Sequence, residues 1–81
     1  QDEFVQEFMA FCYFHGVGVK EDNQEALAWY TKAAENGRAP AQRLLSHMYY
    51  CGFGCIKSDS KFCYWRQRSS RQLFFRIKNN L

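Results

Sequence analysis

Apolar residues recur at helical spacing in four stretches of the chain. Val5, Phe8, Met9, Cys12, Tyr13 and Gly16 follow the i, i+3, i+4, i+7 rhythm of one helix face. Ala26, Trp29, Tyr30, Ala33 and Ala34 repeat it behind Asp22 and Asn23, either of which suits a helix N-cap. Gly37 supplies a left-handed stop, and Pro40 suits the first turn of the next helix. Ala41, Leu44, Leu45, Met48 and Tyr49 make a third stripe. A fourth begins near Ser58 or Asp59 and runs through Phe62 and Trp65. No stretch alternates for long with period two, so the pattern predicts helices and no strands.

The stripes form a repeat. Shifted by 36 residues, Tyr13-Phe14-His15-Gly16-Val17-Gly18-Val19 falls on Tyr49-Tyr50-Cys51-Gly52-Phe53-Gly54-Cys55. Trp29 falls on Trp65, Lys32 on Arg68, and Ala33 and Ala34 on Ser69 and Ser70. Each unit therefore reads as a helix, a Gly-x-Gly loop and a second helix. Glycine suits such a loop because positive φ costs it little and helices can approach closely over it.

The run Gly16-Val17-Gly18-Val19, Asp22, Ala26 to Gly37 and then Ala41-Gln42 resembles a Sel1-like repeat, a relative of the tetratricopeptide repeat. The resemblance is close over residues 9–45 and looser from 46 to about 70. It implies an all-α fold, an α-solenoid of two helix-turn-helix repeats that serves as a non-catalytic scaffold for protein interaction. The expected units are residues 3–37 and 39–72, with a helical extension over 73–79. The second unit departs from the pattern: Cys55, Phe62 and Arg66 replace valine, alanine and tyrosine, and Leu73 replaces the terminating glycine. Without that stop the fourth helix is expected to continue through Leu73, Phe74 and Ile77 as a basic cap. Two units are few for a stacked array. Three remedies are open: a longer array, a second copy continuing the stack, or support from the final helix and a partner.

Composition narrows the function. At 81 residues, 47% hydrophobic and 19% aromatic, the chain is one small domain, too apolar for a disordered tail. Its size favours a binding module over an enzyme. No apolar run approaches 18 residues and no basic-then-apolar leader opens the sequence. The expected location is soluble, the cytoplasm favoured over secretion or the periplasm. Neither Gly-x-Gly carries the third glycine of a dinucleotide fingerprint, and no nucleophile elbow accompanies His15 or His47. Neither cofactor nor metal is expected; His47, Cys51 and Cys55 match no compact zinc spacing.

The net charge of +3 is unevenly spread: residues 1–56 carry four basic and seven acidic side chains, residues 57–81 seven basic and one acidic. Arg66, Arg68, Arg71, Arg76 and Lys78 make the end basic, either as a solvated face or as an attractor of acidic surfaces. Interleaved with Tyr64, Trp65, Phe74 and Phe75, they also carry the alternative reading, nucleic-acid or polyanion binding. Phe14 and Tyr50, and likewise Phe11 and His47, occupy equivalent places off the main stripes; with Arg43, at the place of Glu7, they are the candidate patch for a protein partner, on the inner face that solenoids use. Cys12 falls on the first stripe as a buried thiol. Cys51, Cys55 and Cys63 are either further free thiols or the source of a bridge whose connectivity the sequence leaves open.

Overall fold

A computed structural model of the chain describes the backbone of residues 3–79 and the side chains of residues 4–70. Four helices follow in order: α1 (Glu3–His15), α2 (Asn23–Glu35), α3 (Ala39–Cys51) and α4 (Asp59–Asn79). Capping decides where they start. The Asp22 carboxylate accepts from the backbone N–H groups of Gln24 at 3.0 Å and Glu25 at 3.2 Å. One unit later the Ser58 hydroxyl accepts from Lys61 N–H at 3.3 Å. α3 has no side-chain cap and starts on Pro40 in its first turn.

The loops of the two units match bond for bond. Asp22 N–H reaches the Tyr13 carbonyl at 2.8 Å, and Ser58 N–H reaches the Tyr49 carbonyl at 3.1 Å. Val17 N–H donates to Cys12 and Phe53 N–H to Met48, both at 2.9 Å. The offset read from the sequence thus holds for single backbone hydrogen bonds.

Packing runs in line, α1 on α2, α2 on α3 and α3 on α4, so the chain is an all-α pair of stacked helical units. Ala26, Ala33, Ala34 and Ala41 have no exposed surface, and their small side chains let α2 and α3 come close. Leu45, Met48 and Tyr30 fill the space between units. Burying a side chain such as Leu45 contributes about 2–3 kcal/mol. One polar group crosses this junction: the buried Gln42 donates its amide to the Ala34 carbonyl at 3.0 Å. At the second loop, Gly54 lies at φ +72, and a Cβ there would overlap the Asn23 carbonyl and stand 3.0 Å from Gln24 N. The loop of unit two is therefore seated on the start of α2.

Burial departs from the repeat pattern at three places. Val5 and Phe8, on the first apolar stripe, are 52% and 61% exposed, although α1 packs on α2. Cys63 is exposed and Cys55 half-buried, whereas Cys12 is buried. Trp29 is half-buried whereas Trp65 is buried. Tyr64 sets its edge against Trp65 at 5.0 Å, while the residue equivalent to Tyr64 in unit one is Ala28, too small to cover its neighbour. Both tryptophans still carry a cation from three residues on, Lys32 at 4.6 Å and Arg68 at 5.4 Å. α4 does continue past Leu73 to Asn79; the side chains of Leu73, Phe74, Phe75 and Ile77 lie outside the described residues.

Candidate functional site

The helical rhythm that buries Ala10 and Cys12 leaves Phe11, Phe14 and His15 on another side of α1. Their rings join those of α3 through the second loop. Phe11 meets His15 with ring centres 4.4 Å apart, and His15 meets the edge of Phe14 at 5.0 Å. Phe14 meets Phe53 at 5.9 Å, and Phe53 meets His47 at 6.2 Å, both edge-on. Five rings thus run from the first unit to the second. Such edge contacts fix ring orientation and add about 0.5–1.5 kcal/mol per pair beyond burial. Phe11 and Phe53 stay 46% and 37% exposed, so the row is both ordered and accessible. Phe14 is its anchor, half-buried with an edge on Tyr30 at 6.5 Å.

Of the five residues predicted for a partner patch, the structure brings Phe11, Phe14 and His47 together in this row. Tyr50 pairs instead with Phe62 of α4 at 5.1 Å, and Arg43 sits farther along α3. Phe53 and His15 were not among the predicted patch residues. The available signal for Phe53 was an aromatic in a loop place where the first unit has Val17, itself 50% exposed.

Arg43, Ser46 and His47 of α3 face Phe62, Arg66, Ser69 and Ser70 of α4 across an open groove of about 270 Å³. Arg66 lies over the Phe62 ring at 5.8 Å. Two guanidinium groups and no carboxylate line this groove. Arg68 leans elsewhere: its Nη1 donates to the Tyr64 hydroxyl at 2.7 Å, and its guanidinium stacks on Tyr64 and Trp65. Positions two apart on a helix face different sides, so Arg66 and Arg68 do not form one patch. The side chains of Arg71, Arg76 and Lys78 lie outside the described residues.

All four cysteines are free thiols, Cys12 buried as its stripe position requires. Cys51 Sγ lies 3.6 Å from His47 Nε2, while the Cys55 thiol points to the Met48 carbonyl at 3.7 Å. Burial pushes the Cys55 thiol pKa up, and nearby Lys61 offsets part of the rise. Burial, aided by the charge of Glu7, pushes the Tyr30 hydroxyl up to about 12. Tyr49 is raised too, by burial and then by Cys55. Among the described residues no three His, Cys, Asp or Glu side chains gather as a metal site, and no helix is long and apolar enough to cross a membrane.

The Sel1 repeat family pattern matches this chain twice, over residues 5–37 and 39–65. The crystal structure of a Sel1 repeat protein from Oxalobacter formigenes superposes with a TM-score of 0.85 at 32% sequence identity. The superposition covers 88% of this chain and 29% of that one, so the chain spans under a third of its relative's length. No curated protein matches the chain. Two matched units, stacked as the fold requires, place this chain in the Sel1 repeat family, whose members are generally protein-interaction modules.

Proposed function

We propose that the chain recognises another protein, without catalysis, through the ring row that Phe11, His15, Phe14, Phe53 and His47 draw across α1, the second loop and α3. The reading makes it an adaptor, or a small inhibitor or immunity-type partner. One observation carries it: the row is continuous across both units and yet half-exposed at Phe11 and Phe53. Exposed aromatics held in fixed orientation are what interface hot spots are made of, since little entropy is lost when they are covered. Tyr50, 58% exposed beside Phe62, widens the face toward α4. Arg43 and Arg66 flank that end and favour a partner with acidic groups, which speeds encounter more than it tightens the complex.

The test is to select peptides from a random library on the folded chain and map the bound peptide by amide and ring chemical shifts. Shifts centred on Phe11, His47 and Phe53, with binding lost in Phe11→Ser and Phe53→Ser, are the expected result. Peptides that bind both variants as well as the parent would reject the proposal.

A further inference from the structure

We infer that His47 and Cys51 chelate a zinc ion at the C-terminal end of α3. The two residues are four apart in the helix, so their side chains leave it on the same side. His47 Nε2 and Cys51 Sγ stand 3.6 Å from each other. Zinc holds an imidazole nitrogen at about 2.0–2.1 Å and a thiolate sulfur at about 2.3 Å, and two such ligands at a tetrahedral angle lie about 3.6 Å apart. The pair is thus spaced as one edge of the coordination tetrahedron, and an ion needs no backbone movement to enter.

The surroundings favour the ion. Phe53 sets its edge against the His47 ring at 6.2 Å and limits how that ring turns. Phe53 is carried by the loop that Gly54 seats on α2. Cys51 is the last residue of α3, where the helix presents its negative end and a cation is stabilised. Arg43, one turn back from His47, is a like charge whose exposure to water weakens its repulsion. Cys55 is not a third ligand, since its thiol points to the Met48 carbonyl at 3.7 Å. Two protein ligands leave the remaining positions to water, so the site is an open chelate rather than a closed structural centre.

The place stays accessible when a further unit follows. Unit two is stacked on unit one, and there Phe11 and His15 hold the places of His47 and Cys51. Both are exposed, Phe11 at 46%. Unit one also lacks the site: Phe11 has no ligand atom, and its ring packs on His15 at 4.4 Å. The second unit keeps the geometry of that pair and changes its chemistry. The site shares His47 with the ring row but does not depend on what the row binds.

Binding exchanges a proton for the ion. The Cys51 thiol gives its proton to solvent as its sulfur donates an electron pair to zinc, and the neutral imidazole donates through Nε2. Zinc titration of the reduced chain by calorimetry tests this, with the ultraviolet band of a cadmium–thiolate bond as a second readout. One ion per chain is expected, bound more tightly near pH 8 than near pH 6. In the parent chain the thiolate band and a shift of the His47 ring resonances should appear together. Cys51→Ser and His47→Phe, the latter restoring the ring of the first unit, should each weaken binding at least about tenfold. Cys63→Ser, at an exposed thiol on α4, should bind as the parent does. Several outcomes would overturn the inference: no zinc taken up, no thiolate band in the parent, or one ion shared between two chains. So would binding that survives Cys51→Ser or His47→Phe, or that is lost in Cys63→Ser.

Discussion

The amide of Gln42 and the carbonyl of Ala34 meet 3.0 Å apart at the centre of the molecule, with both residues fully buried. Ala34 is in the last turn of α2, where carbonyls lack helical partners, and its oxygen also accepts from Gly37 N–H at 3.0 Å. One side chain of the second unit thus completes the helix end of the first. Gln42→Ala should lower unfolding free energy by about 2 kcal/mol, from the lost bond and the space left behind. The loss is moderated because Gln42 Oε1 has no donor among the described residues and disappears with the side chain. Urea unfolding measures it; a change under about 0.5 kcal/mol, the range of an ordinary surface substitution, would contradict this role.

Alkaline pH should weaken the same junction. Tyr30 is buried between the units with its pKa pushed up to about 12 from an ordinary 10.0, by burial first and Glu7 second. Below pH 10 the hydroxyl is neutral in folded and unfolded chains alike, and its contribution is fully present. As pH rises from 10 toward 12 only the unfolded chain ionises, so stability falls. Tyr30→Phe removes that drain, and the variant should keep more of its neutral-pH stability at pH 11 than the parent does. Part of the slope should persist, since Tyr49 is also raised. Identical losses in parent and variant would contradict the assignment.

The thiols should react in an order set by their surroundings. Cys63 is exposed on α4, Cys55 is half-buried with a raised pKa, and Cys12 is 9% exposed inside the α1 stripe. With a chromogenic disulfide reagent near pH 8, one fast thiol should appear and vanish in Cys63→Ser. Cys12 should lag by roughly tenfold or more until the chain is unfolded, because attack needs an accessible thiolate. A fast phase that survives Cys63→Ser would contradict the placement of that side chain.

Helices, loops and repeat could be read from the sequence because they depend on local order. The spacing of Ala41, Leu45 and Met48 marks a buried face, and Asp22 and Gly37 mark helix ends whatever surrounds them. Val5 and Phe8 share that spacing but not that burial, since spacing marks a helix face and not what packs on it. Phe53 escaped because it lies in a loop, where no periodicity applies, and its partners Phe14 and His47 come from different units. Tyr50 and Phe14 hold equivalent places, yet Phe14 has Tyr30 and Phe53 around it while Tyr50 has Phe62. The first unit has Ala26 where the second has Phe62, so the equivalent helix faces differ in what they present.

The account rests on the two units forming one stacked array, in which the second loop is seated on α2 and the first is open. Gly18 and Gly54 test that directly, being equivalent residues at φ +75 and +72. Alanine at either position bears the same left-handed strain, about 1–2 kcal/mol. Only Gly54→Ala also drives a methyl group into the backbone of Asn23 and Gln24. Thermal and urea unfolding of the two variants should show Gly18→Ala losing about 1–2 kcal/mol and Gly54→Ala at least about 2 kcal/mol more. Equal losses, or a larger loss at Gly18, would contradict the stacked array.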